Sequence, residues 1–417
     1  MPNRTNPAPG VLKHLRSCDD TTGVSAQPES PAPVTVVVVD DSETQRRFIR
    51  TALEADPLLE LVGEARTGRD AVALVERLRP SAVLMDLHLP VMDGIQAIER
   101  IMATRPTPIV VYSSFVDGVD RDNAASAYSA GAVDVIAKPG PHDSDRLESY
   151  AEALCRRLKI AGRVRVITHP RGRLGMSGSA LTTLRLNPAA DGTGAGHGSG
   201  RAPARSARPR KPAVDPAELR AVKVLAVGAS TGGPQALATL LSGLSRDTAA
   251  AIVVVQHMAD GFMEGLASWL DDICPLPVVL GEHGKRMSPG TITLAPSGRN
   301  LVVHDRLRIT THEPEPGQYH VPGIDVTFSS VAQAYGAASV GVLLTGMGRD
   351  GARGLKRMRD HGALTLVQDE STSAVYGMPA AAMSAGAVDL QLPLPEICSA
   401  VYRLLETGEL ESAEGSA

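Results

Sequence analysis

The sequence predicts a two-domain α/β protein with a parallel sheet in each half. Three observations carry this. Short apolar, β-rich runs alternate with amphipathic segments in two separate blocks, the pattern of strands linked by crossover helices. A stretch dense in Gly, Pro, Ala and Arg divides the blocks. In both blocks the polar residues with chemical potential stand where the apolar runs end, the edge at which open parallel sheets place their sites.

Residues 1–33 are rich in Pro, Ser, Thr and Asn without hydrophobic periodicity and read as a mobile tail. Order is expected from "VTVVVVD", and the first domain over 34–160. Its strands are expected at 34–39, 59–63, 81–85, 108–112 and 132–136. Amphipathic helices are expected near 43–54, 68–78, 93–103, 121–130 and 143–158.

The first of these strands ends in Asp40 and Asp41, the third in Asp86 and the fourth in Ser113, and the fifth is followed by Lys138-Pro139. Three carboxylates on one sheet edge repel unless a cation joins them, and an all-oxygen set of this kind suits Mg²⁺. Asp86 can then act as the nucleophile toward a phosphoryl group. The Lys138 ammonium and Ser113 hydroxyl can meet the phosphoryl oxygens. Singly, each residue reads as a solvated loop acid, a turn serine or a surface lysine; their joint placement is what counts. With "VVDDS", "LMDLHLPVMDG", "VVYSS" and "AKPG" in order and spacing, the block resembles the response-regulator receiver domain over its whole length. That implies a flavodoxin-like five-stranded sheet, phosphorylation at Asp86 and a sensor histidine kinase as phosphodonor. Receivers often carry an aromatic three positions before the lysine; this chain has Val135 there, so the activation signal is expected to travel by another route.

Residues 161–216 read as a flexible linker. Between 163 and 215 there are ten Lys or Arg against two Asp. Attraction to an acidic surface or nucleic acid is one reading, and a solvated basic tether is the simpler one. The second domain is expected over 217–410, with a frayed tail at 411–417.

In that domain "VKVLAVGAS" ends at Ser230, "AAAIVVVQHM" at His257, and "ASVGVLLTGMGRDGA" in a glycine-rich turn holding Asp350. If the runs form a parallel sheet, all three lie on its carboxyl edge. Ser, His and Asp are the residue types acyl transfer needs: nucleophile, base, and a carboxylate that fixes the base's tautomer. The turns "GASTGG" and "GMGRDG" leave backbone N–H groups free for an oxyanion. Each residue also has a simpler reading. Ser230, with Pro234 following, suits a helix N-cap; His257 suits a core histidine; Asp350 suits the cap of the next helix. "GASTG" fits a nucleophile elbow, but an α/β-hydrolase places its acid before its histidine. A P-loop needs Lys and Ser/Thr where Pro234 and Gln235 stand.

The motifs "GASTGGPQAL", "VVQHMADGFMEGLASWLD", "LAPSGRNLVV", "LLTGMGRDGARGL" and "QDESTSAVYGMPAAA" occur in the order found in the CheB family. Over roughly 220–407 the chain resembles the catalytic domain of these chemotaxis receptor methylesterases and glutamine deamidases. The resemblance implies Ser230 as nucleophile, His257 as base and Asp350 as its orienting acid, with Thr231 contacting the histidine and Met347 helping to form the oxyanion site. It implies methyl-accepting chemoreceptor cytoplasmic helices as substrate and an esterase that needs no cofactor of its own. The chain departs from the family at Pro322-Gly323-Ile324-Asp325, where Pro-Ser-Val-Asp is frequent, and at Asn300, where a histidine is common.

Composition narrows the rest. Aromatic residues make up 3% and the formal charge is -4, which argues against stacking platforms for single-stranded nucleic acid. Cys18, Cys155, Cys274 and Cys398 form no Cys-x-x-Cys pair, against a structural zinc site or a secreted disulfide framework. No apolar run reaches the roughly 20 residues of a membrane span, and there is no signal-peptide core. A reduced cytoplasmic protein without membrane insertion or nucleic-acid binding is expected. The competing functions are the same esterase in a non-chemotactic signalling array and a phosphorylation-dependent binding module. A transcription regulator ranks lower, since nothing reads as a helix-turn-helix.

Overall fold

The computed structural model describes residues 32–113, 120–139, 147–164, 222–318 and 320–407, with backbone only over 120–123. The expected tail 1–33, the linker 161–216 and the tail 411–417 lie almost wholly outside these residues.

The first domain alternates as expected: β1 (Val34–Val39), α1 (Glu43–Glu54), β2 (Leu59–Ala65), α2 (Gly68–Leu78), β3 (Ala82–Met85), α3 (Gly94–Thr104), β4 (Ile109–Ser113), α4 (Asp120–Ala130), β5 (Asp134–Ala137) and α5 (Leu147–Ala161). All strands are parallel, in the order β2-β1-β3-β4-β5. Strands covered by helices on both faces need apolar side chains on both, and β3 and β4 are buried at every position. Short polar side chains start the helices. Ser42 Oγ accepts from Gln45 N, Thr67 Oγ1 from Asp70 N, and Asp93 Oδ1 from Gln96 N, each satisfying an otherwise orphaned amide. Helix α5 runs to Ala161, three residues beyond the expected helix end at 158 and one beyond the expected domain boundary at 160, because Leu154, Leu158 and Ala161 repeat at helical spacing and are buried.

The second domain holds β6 (Val224–Ala229), α6 (Gly233–Ser242), β7 (Ala251–Gln256), α7 (Met263–Ile273), β8 (Val278–Leu280), β9 (Ile292–Leu294), β10 (Asn300–Val303) and β11 (Ile309–His312). It continues with α8 (Ile324–Tyr335), β12 (Ser339–Leu343), α9 (Ala352–Asp360), β13 (Leu364–Gln368), α10 (Met378–Ser384), β14 (Leu390–Leu392) and α11 (Leu394–Glu406). Seven strands form one parallel sheet, β14-β13-β12-β6-β7-β9-β8. On one face Leu225 and Val227 pack with Leu237 and Leu241 of α6 and Val401 of α11. On the other, Ala226 and Val253 pack with Phe328 of α8 and Leu355 and Met358 of α9. This is the doubly wound arrangement; each fully buried Leu or Phe contributes roughly 1.5–3 kcal/mol through removal from water. Strands β10 and β11 interrupt the alternation as an antiparallel hairpin.

The two domains touch through α4 and α7. Tyr128 and Trp269 stack with ring centroids 5.8 Å apart, and Gln235 Nε2 donates to the Tyr128 carbonyl at 2.9 Å.

Candidate active site

Strands β12, β6 and β7 are neighbours at the centre of the second sheet. The chain leaves β6 toward β7 and later returns on the opposite side at β12, so the carboxyl edge of β6 is a topological switch point where a crevice opens. Ser230 follows β6, His257 follows β7, and Asp350 stands in the turn from β12 to α9.

His257 Nε2 and Asp350 Oδ2 are 2.8 Å apart. Asp350 is held from three more directions. Its Oδ2 accepts from Ile324 N at 2.8 Å, and its Oδ1 accepts from Asp325 N and Gly351 N, each at 3.0 Å. Ile324 and Asp325 open α8, so the carboxylate sits on a helix N-terminus, where free amides and the dipole favour negative charge. Burial alone raises its pKa, but the hydrogen bond and charge of His257 and the two α8 amides outweigh it, leaving Asp350 below the ordinary carboxylate range. The same bond engages Nε2 and leaves Nδ1 as the lone pair open to a proton. That Nδ1 is buried and has no hydrogen-bond partner among the described residues.

The capping reading of Ser230 fails. The N-cap of α6 is Gly232, at φ 73°, and no side chain caps that helix. The left-handed conformation is one a serine adopts only with strain, so the turn places glycine at the cap and Ser230 two residues earlier, on the crevice edge. Asp350 does not cap α9 either, whose N-cap is Gly351 without a side-chain bond. The backbone around Ser230 is fixed: its N–H donates to Thr345 O at 3.0 Å, and its carbonyl accepts from Gln256 Nε2 at 2.8 Å. Gln256 Nε2 also donates to His257 O at 2.8 Å, tying the two turns together. A side chain at Gly346 would come within 2.7 Å of Ser230 Cβ, so the glycine lets the β12 turn approach the serine.

Among the described residues no hydrogen bond joins Ser230 to His257. Thr231 is buried and its carbonyl accepts from Thr345 Oγ1 at 3.0 Å; no bond from Thr231 to His257 is present among the described residues. Met347, in the turn after β12, is 36% exposed. Asp350 lines a cleft of about 1590 Å³, together with Asn300, Gln318, His320 and, from α5 of the first domain, Arg156; Ser230 and His257 are not part of that lining. Among the described residues burial raises the thiol pKa values of Cys155, Cys274 (to about 12) and Cys398 (to about 11), the opposite of the shift that activates a thiol at neutral pH.

Sequence reading missed Gln256, the pairing of Asn300 with Gln318, and His320, which stacks on His257. Gln256, adjacent to His257 in a strand, carried a weak signal. The other three are joined only by the fold. A simple contrast checks the histidine. His257→Gln should cut turnover at least about 10³-fold, as loss of a triad base does. His283→Gln should leave it nearly unchanged, because His283 Nδ1 merely accepts from Thr311 N at 3.1 Å on the hairpin. Equal activity of the two variants in a methanol-release assay would overturn the assignment.

The first domain gathers its polar residues at its own switch point, between β1 and β3. Asp40, Asp41 and Asp86 present ligand oxygens within 4.8 Å of one another. Lys138 Nζ lies 2.7 Å from Asp40 Oδ2 and 2.8 Å from Asp86 Oδ2. Burial raises the Asp86 pKa, against the opposing pull of Lys138. Burial lowers that of Lys138, but its bonds to Asp40 and Asp86 reverse the sign. The buried Ser113 Oγ has no hydrogen-bond partner among the described residues, a polar group left open to an incoming ligand. The donor set, hard carboxylate oxygens with one exposed member, fits Mg²⁺.

Comparison with known proteins agrees with this division. Residues 225–401 match the family model of the CheB methylesterase, and residues 36–151 match the response regulator receiver domain. The chain is 40% identical over 375 residues to protein-glutamate methylesterase/protein-glutamine glutaminase 4 of Geobacter metallireducens, covering 89% of this chain and 99% of that protein. It is 41% identical over 374 residues to enzyme 2 of the same name from Anaeromyxobacter dehalogenans, covering 89% and 97%. Among solved structures, the Thermotoga maritima CheB methylesterase catalytic domain is 32% identical, covering 44% of this chain and 98% of that one, with a TM-score of 0.42.

Proposed function

Since the chain belongs to the CheB methylesterase family and carries a receiver domain ahead of the catalytic one, we propose a mechanism in which Ser230, His257 and Asp350 form its catalytic triad. The chain is a protein-glutamate methylesterase and protein-glutamine glutaminase. The observation that carries the triad is the 2.8 Å bond between His257 Nε2 and a carboxylate clamped on the start of α8. With Nε2 engaged, Nδ1 is the base. It takes the Ser230 proton as Oγ attacks the side-chain carbonyl of a methylated glutamate. The tetrahedral oxyanion is met by backbone N–H groups of the glycine-rich turns, with Met347 at their edge. Collapse breaks the ester bond, and the proton on Nδ1 leaves with methoxide as methanol. Water, deprotonated by the same nitrogen, then attacks the acyl-serine; the bond to Ser230 Oγ breaks, Oγ takes the proton back from Nδ1, and glutamate is freed. With glutamine the leaving group is ammonia. No cofactor takes part in the esterase domain. Methanol release from a methylated chemoreceptor cytoplasmic fragment tests this directly; no release by the intact, phosphorylated protein would overturn it.

The substrate in this reading is the cytoplasmic helices of methyl-accepting chemoreceptors, and the phosphodonor is a sensor histidine kinase. The protein acts in the cytoplasm, without membrane insertion or a nucleic-acid partner; none of the described helices is long and apolar enough to cross a membrane. The receiver of this reading runs from β1 to α5 and the catalytic domain from β6 to α11. Asp86 carries the phosphoryl group; Asp40, Asp41 and Asp86 would hold Mg²⁺, which when bound offsets carboxylate and phosphoryl charge. Ser113 and Lys138 receive phosphoryl oxygens. Docking through Tyr128 and Trp269, with Arg156 on the rim of the cleft, supports a receiver that restricts access until phosphorylation releases it, a population shift between closed and open forms.

Trp269 is the one tryptophan in the chain, so this contact has a built-in reporter. Adding a small phosphodonor with Mg²⁺ should raise esterase activity and shift Trp269 emission to the red as its stack with Tyr128 opens. Asp86→Asn should keep basal activity and lose both responses. Activation with unchanged emission would exclude release at the α4–α7 contact.

A further inference from the structure

His320 lies in the loop between β11 and α8, and its ring stacks on that of His257, with centroids 4.6 Å apart and planes 5° from parallel. It is otherwise exposed and makes no side-chain hydrogen bond among the described residues, so packing of the core does not explain its position. The loop around it is locked. Asn300 Nδ2 donates to Gln318 Oε1 at 2.7 Å, and Gln318 Nε2 donates back to Asn300 Oδ1 at 2.9 Å. Gln318 Nε2 also donates to the His320 carbonyl at 2.7 Å, and Asn300 Oδ1 accepts from Gly323 N at 2.8 Å. The far end of this loop supplies the two α8 amides that hold Asp350.

One hydrogen bond at Nε2 fixes a point on the His257 ring but not its plane. The ring can still swing about its bond to Cβ, and any swing re-aims Nδ1. A flat partner against the face removes that freedom. We propose that His320 is a positioning residue for His257, holding the plane of the imidazole by stacking so that Nδ1 stays aimed for proton transfer. The proposal rests on the reading of His257 as the base. A neutral ring also favours the imidazolium that forms during turnover, since its π face attracts a cation, whereas a charged one would repel it. Burial, with the charges of His257, Arg157 and Arg156, lowers the His320 pKa against the opposing pull of Asp350, which disfavours a charged ring at this place.

The test uses the full-length protein and a cytoplasmic chemoreceptor fragment methylated on its glutamates. His320→Ala should lower kcat about tenfold with KM unchanged, and His320→Phe, which restores a flat neutral face, should recover most of the loss. NMR of the unmodified protein should show the His257 ring protons shifted upfield by the ring above them. The shift should persist in His320→Phe and vanish in His320→Ala. Asn300→Ala, which loosens the loop, should show a partial loss of both kcat and shift. A wild-type kcat in His320→Ala, no upfield shift in the unmodified protein, or a Phe variant as impaired as the Ala variant would each overturn the proposal. Retained activity in His257→Gln would instead overturn the base assignment, so the two failures are distinct.

Discussion

Ser230→Ala is expected to lower methanol release by about 10⁴-fold or more, the scale seen when a triad nucleophile is removed, with thermal stability unchanged. The second half of that statement follows from local geometry. Ser230 contributes its backbone N–H and carbonyl to the turn, through Thr345 O and Gln256 Nε2, and both survive the substitution. Its hydroxyl does not cap α6, because Gly232 holds that position. A capping serine changed to alanine would cost about 1 kcal/mol and leave turnover intact. The two roles therefore predict opposite signatures, and a melting curve beside a rate measurement separates them. Near-normal turnover in the folded variant would end the case for a serine nucleophile.

Asp350→Asn should be nearly as severe for activity, about 10³–10⁴-fold, but unlike the serine change it should also destabilise the protein. The carboxylate accepts from four donors: His257 Nε2, Ile324 N, Asp325 N and Gly351 N. An amide offers one acceptor oxygen and turns an NH₂ group toward the remaining donors. Either the imidazole or the start of α8 loses its partner, and a buried donor left unsatisfied costs about 1–3 kcal/mol. The pH dependence has a definite sign. Because the folded pKa of Asp350 is lowered, its contribution to stability is complete above the unfolded carboxylate value and is lost as pH falls through the folded one. Asp350→Asn should therefore flatten the acid limb of the stability curve. A variant with wild-type acid sensitivity would show that the clamp contributes nothing.

Both sheets were legible in the sequence because a strand buried on two faces must be apolar throughout. Runs such as "VTVVVV" and "AIVVVQ" have no amphipathic alternative of that length. Ser230, His257, Asp350, Asp40 and Asp86 were legible as strand-end residues, since the edge they share follows from the alternation alone. The hairpin of β10 and β11 was not, because "LVVHDRLRITTH" reads equally as a broken crossover. Its turn depends on Arg306 and Leu307 in the left-handed region, for which those residue types give no signal. Nor could sequence show that Asn300 meets Gln318 or that His320 lies on His257. Residues 18 or 63 positions apart come together only when the sheet and the hairpin are both in place. Asn300, read as a departure from the family, turns out to be half of the lock on the His320 loop.

The cleft has Arg156, a receiver residue, on its lip, and that shared boundary carries an obligation in both directions. If a docked receiver and a bound receptor segment compete for the same space, each must weaken the other by the same factor. Whatever factor phosphorylation adds to receptor affinity, receptor binding must return as stabilisation of the phosphorylated form. On that condition a receptor segment would act on the receiver as well as serve the esterase as substrate. Raising the concentration of such a segment would then move the balance of closed and open forms toward the open one.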